Sequence, residues 1–258
     1  MKIAITGSSG FIGGHLKEHF KKDGHEIIEW DRKNGRDING FEFKTTSDHG
    51  FELEGAEFVI HLAADADVRR SIKEPDAYWH NNVTPTTRIQ RICHEAGVPL
   101  LYASSSCIHQ WHKSPYGITK KVNEETAFPG QVALRFTTVY GRDGAQRGMF
   151  MDKIKDGSLK YATKHIRDFI HIDDVIQAID CIMLKITDPG LIDAPLRPAY
   201  DIGTGTGNVV HELARIRIPG IEVREGDACE AQDNTADITH IKELGFNPTM
   251  DVKDYLHP

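Results

Sequence analysis

The chain has 258 residues, enough for one sizeable core, either a single α/β unit or such a unit with a small appended lobe. Apolar residues at 39% and charged residues at 27% sit near the globular average and exclude a disordered or fibrous polymer. With 38 acidic against 31 basic side chains the formal charge is -7, which excludes the broad basic face needed to bind nucleic acid. A small anionic ligand remains open, held by local cations and helix N-termini.

Lys2 to Thr6 is a short apolar, β-branched run, followed directly by a glycine turn and the helical spacing Phe11, Ile12, Leu16, Phe20. After Asp23-Gly24, residues Glu26 to Trp30 read as a second strand ending at Asp31, which completes a βαβ unit of about thirty residues. The polar stretch from Asn34 to Gly50 holds at most a weak strand at Phe41 to Phe43, and Phe58 to Leu62 reads as a buried parallel strand. A helix is predicted from about Val83 to Ala96, stopped by Gly97 and Pro99, then a strand from Pro99 to Ala103 ending in Ser104-Ser105-Ser106. Tyr116 to Thr126 reads as helix and Gln131 to Phe136 as strand. Beyond Tyr140 the pattern loosens.

Strands alternating with helices predict an α/β fold: a Rossmann-type, doubly wound, mostly parallel sheet whose ligands lie beyond the carboxyl ends of its strands. The expected organisation is a dinucleotide-binding core over residues 1–140, continued by parts of 167–203. A small, reduced C-terminal substrate lobe takes 141–166 and 204–258. Cys93, Cys107, Cys181 and Cys229 form no Cys-x-x-Cys pair, which points to reduced thiols. No secretory h-region or membrane-length apolar run is present, so a cytoplasmic protein without membrane contact is expected.

Gly7-Ser8-Ser9-Gly10-Phe11-Ile12-Gly13 lies where the first strand becomes the first helix, the context a dinucleotide loop requires. Glycine lets the backbone turn tightly and approach a pyrophosphate, which the helix N–H groups and dipole then hold. Asp31 can accept hydrogen bonds from both hydroxyls of an adenosine ribose and would repel a 2′-phosphate, which favours NAD over NADP. Arg32 and Lys33 beside it are the groups that would receive a 2′-phosphate instead. Tyr116 and Lys120 stand four apart on one helix, so both side chains emerge from one face. An ammonium beside a phenol favours the phenolate, which can take a proton from a substrate hydroxyl while hydride moves to a nicotinamide. A serine at the end of the preceding strand can hydrogen-bond the reacting oxygen. The order of these features along one sheet supplies the specificity.

In these residues the chain resembles the extended short-chain dehydrogenase/reductases, in particular the NAD-dependent nucleotide-sugar epimerase and dehydratase family. The resemblance extends through Asp37-Ile38, which looks like the family's adenine-contacting pair, and through His61-Leu62-Ala63-Ala64, whose alanines let a cofactor lie against the strand. It continues from Asn82-Val83 into Tyr102-Ala103-Ser104-Ser105-Ser106 and Ser114-Pro115-Tyr116-Gly117-Ile118-Thr119-Lys120. Val139-Tyr140-Gly141 and Arg167-Asp168-Phe169-Ile170-His171 follow.

The resemblance implies Ser105, Tyr116 and Lys120 as catalytic residues. It assigns Gly7, Gly10, Phe11, Ile12, Gly13, Asp31, Asp37, Ile38, Leu62, Ala63, Ala64 and Asn82, with Tyr116 and Lys120, to NAD. Ser106, Thr138, Arg167 and Arg224 fall to the substrate, the arginines to its diphosphate. It also implies a homodimer through the helices near 82–96 and 116–126.

Three departures stand out. Thr138 replaces the usual asparagine, the loop from Ser105 to Tyr116 is short, and Ser106-Cys107 stands where 4,6-dehydratases carry an acidic pair. With no acid there to eliminate water, the expected activity is epimerisation through a 4-keto intermediate. The alternatives are an NADPH-dependent 4-keto-sugar reductase and a non-catalytic NAD(P)-binding sensor or scaffold. His109 and His112 begin no recognisable metal site, lacking a third ligand, and none is expected. Gly203-Thr204-Gly205-Thr206-Gly207 lacks the lysine of a P-loop and reads as a structural turn.

Overall fold

A computed structural model describes residues 1–39, 53–141 and 150–257, arranged as two compact units. The first comprises Met1–Ser104 and Ser114–Leu134, the second Ser105–Lys113 and Arg135–Pro258. The weak strand expected at Phe41 to Phe43 lies outside the described residues.

In the first unit, β1 (Lys2–Thr6) runs parallel to both β2 (Glu26–Trp30) and β3 (Phe58–His61), with Ala4 opposite Ile28 and Val59. Residues buried on both faces explain its unbroken apolar run. Between β1 and β2, α1 (Phe11–Lys22) buries Gly13, Leu16 and Phe20, and Lys17 and Lys21 on its outer face bond Glu29 at 3.0 and 2.9 Å.

After β3 come α2 (Val68–Lys73), capped by Asp67, and α3 (Pro75–Asn82), which starts on proline. The sequence reading missed both, because neither has a long apolar stripe: α3 buries only Tyr78 and Asn82. α4 (Thr84–Ala96) ends on Gly97 at φ 68°, and β4 (Leu100–Ser105) follows, parallel to β3 with Leu101 opposite Ile60. α5 (Pro115–Glu125) begins with Ser114 accepting from the Gly117 N–H at 3.1 Å, and leads to β5 (Val132–Phe136). The sheet order is β2-β1-β3-β4-β5, the mostly parallel Rossmann-like arrangement expected.

In the second unit, β6 (Thr138–Tyr140) is followed by α6 (Phe150–Lys155), β7 (Tyr161–Thr163), β8 (Ile166–His171) and the long α7 (Ile172–Thr187). Next come β9 (Ala199–Ile202), β10 (Gly207–Val209), α8 (Val210–Arg217), β11 (Glu222–Arg224), α9 (Thr239–Lys242) and α10 (Val252–Leu256). β9 neighbours the end of β5 that belongs to this unit. β8 is parallel to β6 and antiparallel to β10, and β7 is parallel to β11. Tyr140, Met151, Ile154, Phe169, Leu213 and Val252 belong to a shared apolar cluster.

Buried Asp168 organises the glycine turn of this unit. Its carboxylate accepts from the Thr204 N–H (2.9 Å), the Thr204 hydroxyl (2.7 Å), the Gly205 N–H (2.9 Å) and the Ala236 N–H (3.2 Å). The turn's donors are therefore filled by the chain's own anion, as a structural turn requires. Among the described residues no helix is long and apolar enough to cross a membrane.

Asp168→Ala strands those donors in the interior. We expect a loss of about 3 kcal/mol or more, read as a melting temperature lower by roughly 6 °C or more in a thermal denaturation scan.

Candidate active site

The glycine loop joins β1 to α1 by backbone packed on backbone. Gly7 is left-handed at φ 71° and donates its N–H to the Trp30 carbonyl at 2.8 Å, while a Cβ on it would stand 2.9 Å from the Ala63 nitrogen. A Cβ on Gly13 would overlap the Gly7 carbonyl oxygen. Gly10 caps α1 without a side-chain hydrogen bond, and no acidic residue occupies the first turn, where half-buried Phe11 and Ile12 lie. The positive end of the helix is thus left for a ligand.

Beside this loop lies a cleft of about 280 Å³. Its wall gathers Gly7, Gly10, Asp31, Asp37, Ile38, Leu62, Ala63 and Ala64, all assigned to cofactor from sequence. Asp31 is held by two backbone donors, Ser9 N–H at 3.0 Å and Lys33 N–H at 2.9 Å. The sequence reading missed Trp30, Arg36, Asn39, Asp65 and Asn81, which also line the cleft. Arg36 places its guanidinium 4.0 Å above the Trp30 ring and pairs with Glu54. Asn81 donates to Asp65 at 2.6 Å and accepts from Asn39 at 3.0 Å. These contacts join residues up to 42 apart, and no local motif marks them.

Phe11, Ile12, Gly13 and Asn82 stand outside the cleft wall. Asn82 is fully buried, its amide exchanging hydrogen bonds with the Asp65 backbone at 2.8 and 2.9 Å and reaching Thr119 at 3.3 Å. Through Thr119 it braces α5, on which Tyr116 and Lys120 are both buried. The Lys120 ammonium donates to the Ala103 carbonyl at 2.8 Å and lies 5.8 Å from the Tyr116 ring centre. Tyr78 packs edge-on against Tyr116 at 6.3 Å.

The remaining candidates belong to the second unit. Ser105 ends β4, with its hydroxyl oxygen accepting from the Cys107 N–H at 3.2 Å. Ser106 accepts from the Asn234 amide at 3.2 Å, and that amide's oxygen accepts from the Asp168 N–H at 2.9 Å. Thr138 sits half-buried on β6 opposite Phe169. Arg167 on β8 donates to the Ile166 and Ala231 carbonyls, both at 2.8 Å, and to Glu230 at 2.9 Å. Arg224 is exposed, forked onto Glu222 at 2.8 and 3.1 Å and stacked 4.0 Å over Tyr161.

His109 bonds Asp201 at 2.9 Å. Burial by itself would raise the Asp201 carboxyl, but the His109 hydrogen bond, the His109 and Arg135 charges and the Asp237 N–H outweigh it and hold the group below the usual aspartate range. Glu230, Asn234 and Asp201 went unread in the sequence because their partners are distant in the chain.

The sequence model of the NAD dependent epimerase/dehydratase family matches residues 3–193. Protein CapI of Staphylococcus aureus is 27% identical, over 98% of this chain and 96% of that protein. UDP-glucuronate 4-epimerase 4 of Arabidopsis thaliana is 25% identical, over 97% of this chain and 72% of its own. Among solved structures, MoeE5 in complex with UDP-glucose and NAD superimposes with a TM-score of 0.81 at 26% identity, covering 99% of this chain and 96% of that one.

Two outcomes follow from this geometry. Gly13→Ala pushes α1 off Gly7, and calorimetric titration with NAD is expected to show affinity reduced about tenfold or more, equal to roughly 1.4 kcal/mol. Because the Asp201 carboxyl is depressed in the fold, its stabilisation is present above the ordinary aspartate value and lost as pH falls through the depressed one. Removing its hydrogen-bond donor with His109→Ala should make acid unfolding begin at higher pH, as followed by circular dichroism.

Proposed function

The chain belongs to the NAD dependent epimerase/dehydratase family, and from that premise we propose that it is an NAD-dependent epimerase of a nucleotide-activated sugar, working through a 4-keto intermediate. The observation that carries the reading is the pairing, in one unit, of a cleft beside the glycine loop with a buried Tyr116 and Lys120 on one helix. A UDP-hexose is the substrate class of choice, supported by a relative named as a UDP-glucuronate 4-epimerase and by a structural neighbour solved with UDP-glucose and NAD.

The glycine loop and α1 N-terminus fit a pyrophosphate, because the helix starts without a side-chain cap and a Cβ at Gly7 or Gly13 would meet backbone. Asp31 takes the adenosine ribose, Asp37 and Ile38 the adenine, and Ala63 and Ala64 give a smooth wall. NAD, when bound, accepts and returns a hydride. Tyr116 would take the proton of the sugar C4 hydroxyl as C4 gives up its hydride, and would return that proton to the oxygen when the hydride comes back to the other face of C4. Lys120 supplies positive charge that favours the phenolate and holds the nicotinamide ribose. Ser105 hydrogen-bonds the reacting oxygen, with Ser106 and Thr138 on the sugar. Arg167 and Arg224 take the diphosphate.

Free thiols at all four cysteines suit the cytoplasm, and we place the protein there as a homodimer through α4 and α5, a state that sedimentation velocity reads directly. Purified protein should release NAD on denaturation and interconvert C4 epimers of a UDP-hexose without net coenzyme reduction. Tyr116→Phe is expected to keep NAD and lose about a hundredfold or more in turnover. Full turnover in that variant overturns the proposal.

A further inference from the structure

We propose that His61 is a positioning residue, a link of one fixed tautomer that ties the backbone of the cofactor cleft to the helix bearing Tyr116 and Lys120. The inference rests on the functional reading above for what those two places do, and on hydrogen-bond accounting for the link itself.

Thr6 and His61 are register partners on β1 and β3. The Thr6 hydroxyl oxygen accepts from the Ala63 N–H at 3.2 Å and takes a share of the Leu62 N–H, which stands 3.1 Å both from it and from the Thr6 carbonyl oxygen. With those acceptor positions engaged, its 2.6 Å contact with His61 Nδ1 is best made with the hydroxyl proton, Nδ1 accepting. At the other side of the ring, the Thr86 hydroxyl spends its proton on the Asn82 carbonyl at 2.6 Å. The 2.8 Å contact between Thr86 and His61 Nε2 must then carry a proton from the histidine.

The Thr86 end demands, and the Thr6 end suits, one species, an imidazole with its proton on Nε2 and a lone pair on Nδ1. A second proton would set an N–H on Nδ1 against the hydroxyl proton of Thr6. Burial, aided by the Lys120 charge, opposes that proton as well and pushes His61 down to about 3. A neutral ring is thus maintained beside the lysine.

The link has consequences in both directions. On one side the Thr6 hydroxyl draws the Leu62–Ala63 backbone towards the glycine loop, where Ala63 nitrogen meets Gly7. On the other, the Asn82 carbonyl also accepts from Asn123 at 3.0 Å, and the Asn82 amide reaches Thr119, whose hydroxyl donates to the Tyr116 carbonyl at 2.7 Å. Every polar step from the cleft wall to the tyrosine's own backbone is named.

Long-range proton–nitrogen NMR on the full chain reads the tautomer directly. A single Nε2–H form with no titration between pH 8 and pH 5 is expected, whereas an Nδ1–H form or a midpoint within that range overturns the proposal. Gln in place of His can accept from Thr6 and donate to Thr86, so His61→Gln should keep NAD affinity within about threefold, while His61→Phe should lose about tenfold or more. Should the Phe variant fail to fold, Thr86→Val breaks only the far end and is expected to weaken NAD about threefold or more, with Thr86→Ser restoring it. Unchanged NAD affinity in the folded Phe or Val variant also overturns the link. None of these readouts uses a sugar, so a protein without epimerase activity would sink the proposed function and leave this inference standing on its own result.

Discussion

The close approach of Gly13 to the Gly7 carbonyl, and of Gly7 to Ala63, is the constraint on which the first unit is built. Any side chain at these points would separate α1 from β1 or β1 from β3. Without them, the helix starts at the end of the sheet with no side-chain cap, beside a cleft walled by the ends of β1, β2 and β3. The hydrogen bond from Gly7 to the Trp30 carbonyl brings β2 into the same arrangement, which sets Asp31 where the Ser9 N–H can hold it. Cofactor geometry in this chain is therefore mostly backbone geometry, adjusted by a few side chains that bond to backbone.

The second unit uses the opposite device: charged side chains placed inside and matched by donors. Asp168 gathers the 204–205 turn and Ala236, Asp201 takes His109, and Glu230 takes Arg167. Asn234 joins the first of these centres to the serine run, accepting from the Asp168 N–H and donating to Ser106. Satisfied polar groups of this kind specify one arrangement more than they add net stability, since desolvation offsets much of each attraction.

Much of the first unit was legible in the chain itself. The glycine spacing, Asp31 at a strand end, the alanines after His61 and the Tyr116-Lys120 pair are local patterns, and local patterns reflect constraints acting over one turn or one strand. α2 and α3 escaped because their helical state depends on packing against α5 and on caps at Asp67 and Pro75, not on an apolar stripe of their own. Arg36, Asn81 and Asn39 escaped because their part in the cleft comes from contacts between separate elements.

By itself, then, the sequence determined the fold class, the glycine loop between β1 and α1 and the tyrosine-lysine helix, since each is written in residue types at short fixed spacings. Tertiary structure alone decided which partners the buried charges take, that Arg167 is shared with Glu230 while Arg224 stays at the surface with Glu222, and that His61 has one tautomer. The reason is physical. A hydrogen-bond direction depends on what the neighbouring groups have already donated or accepted, and those neighbours are set by the folded arrangement and not by adjacency in the chain.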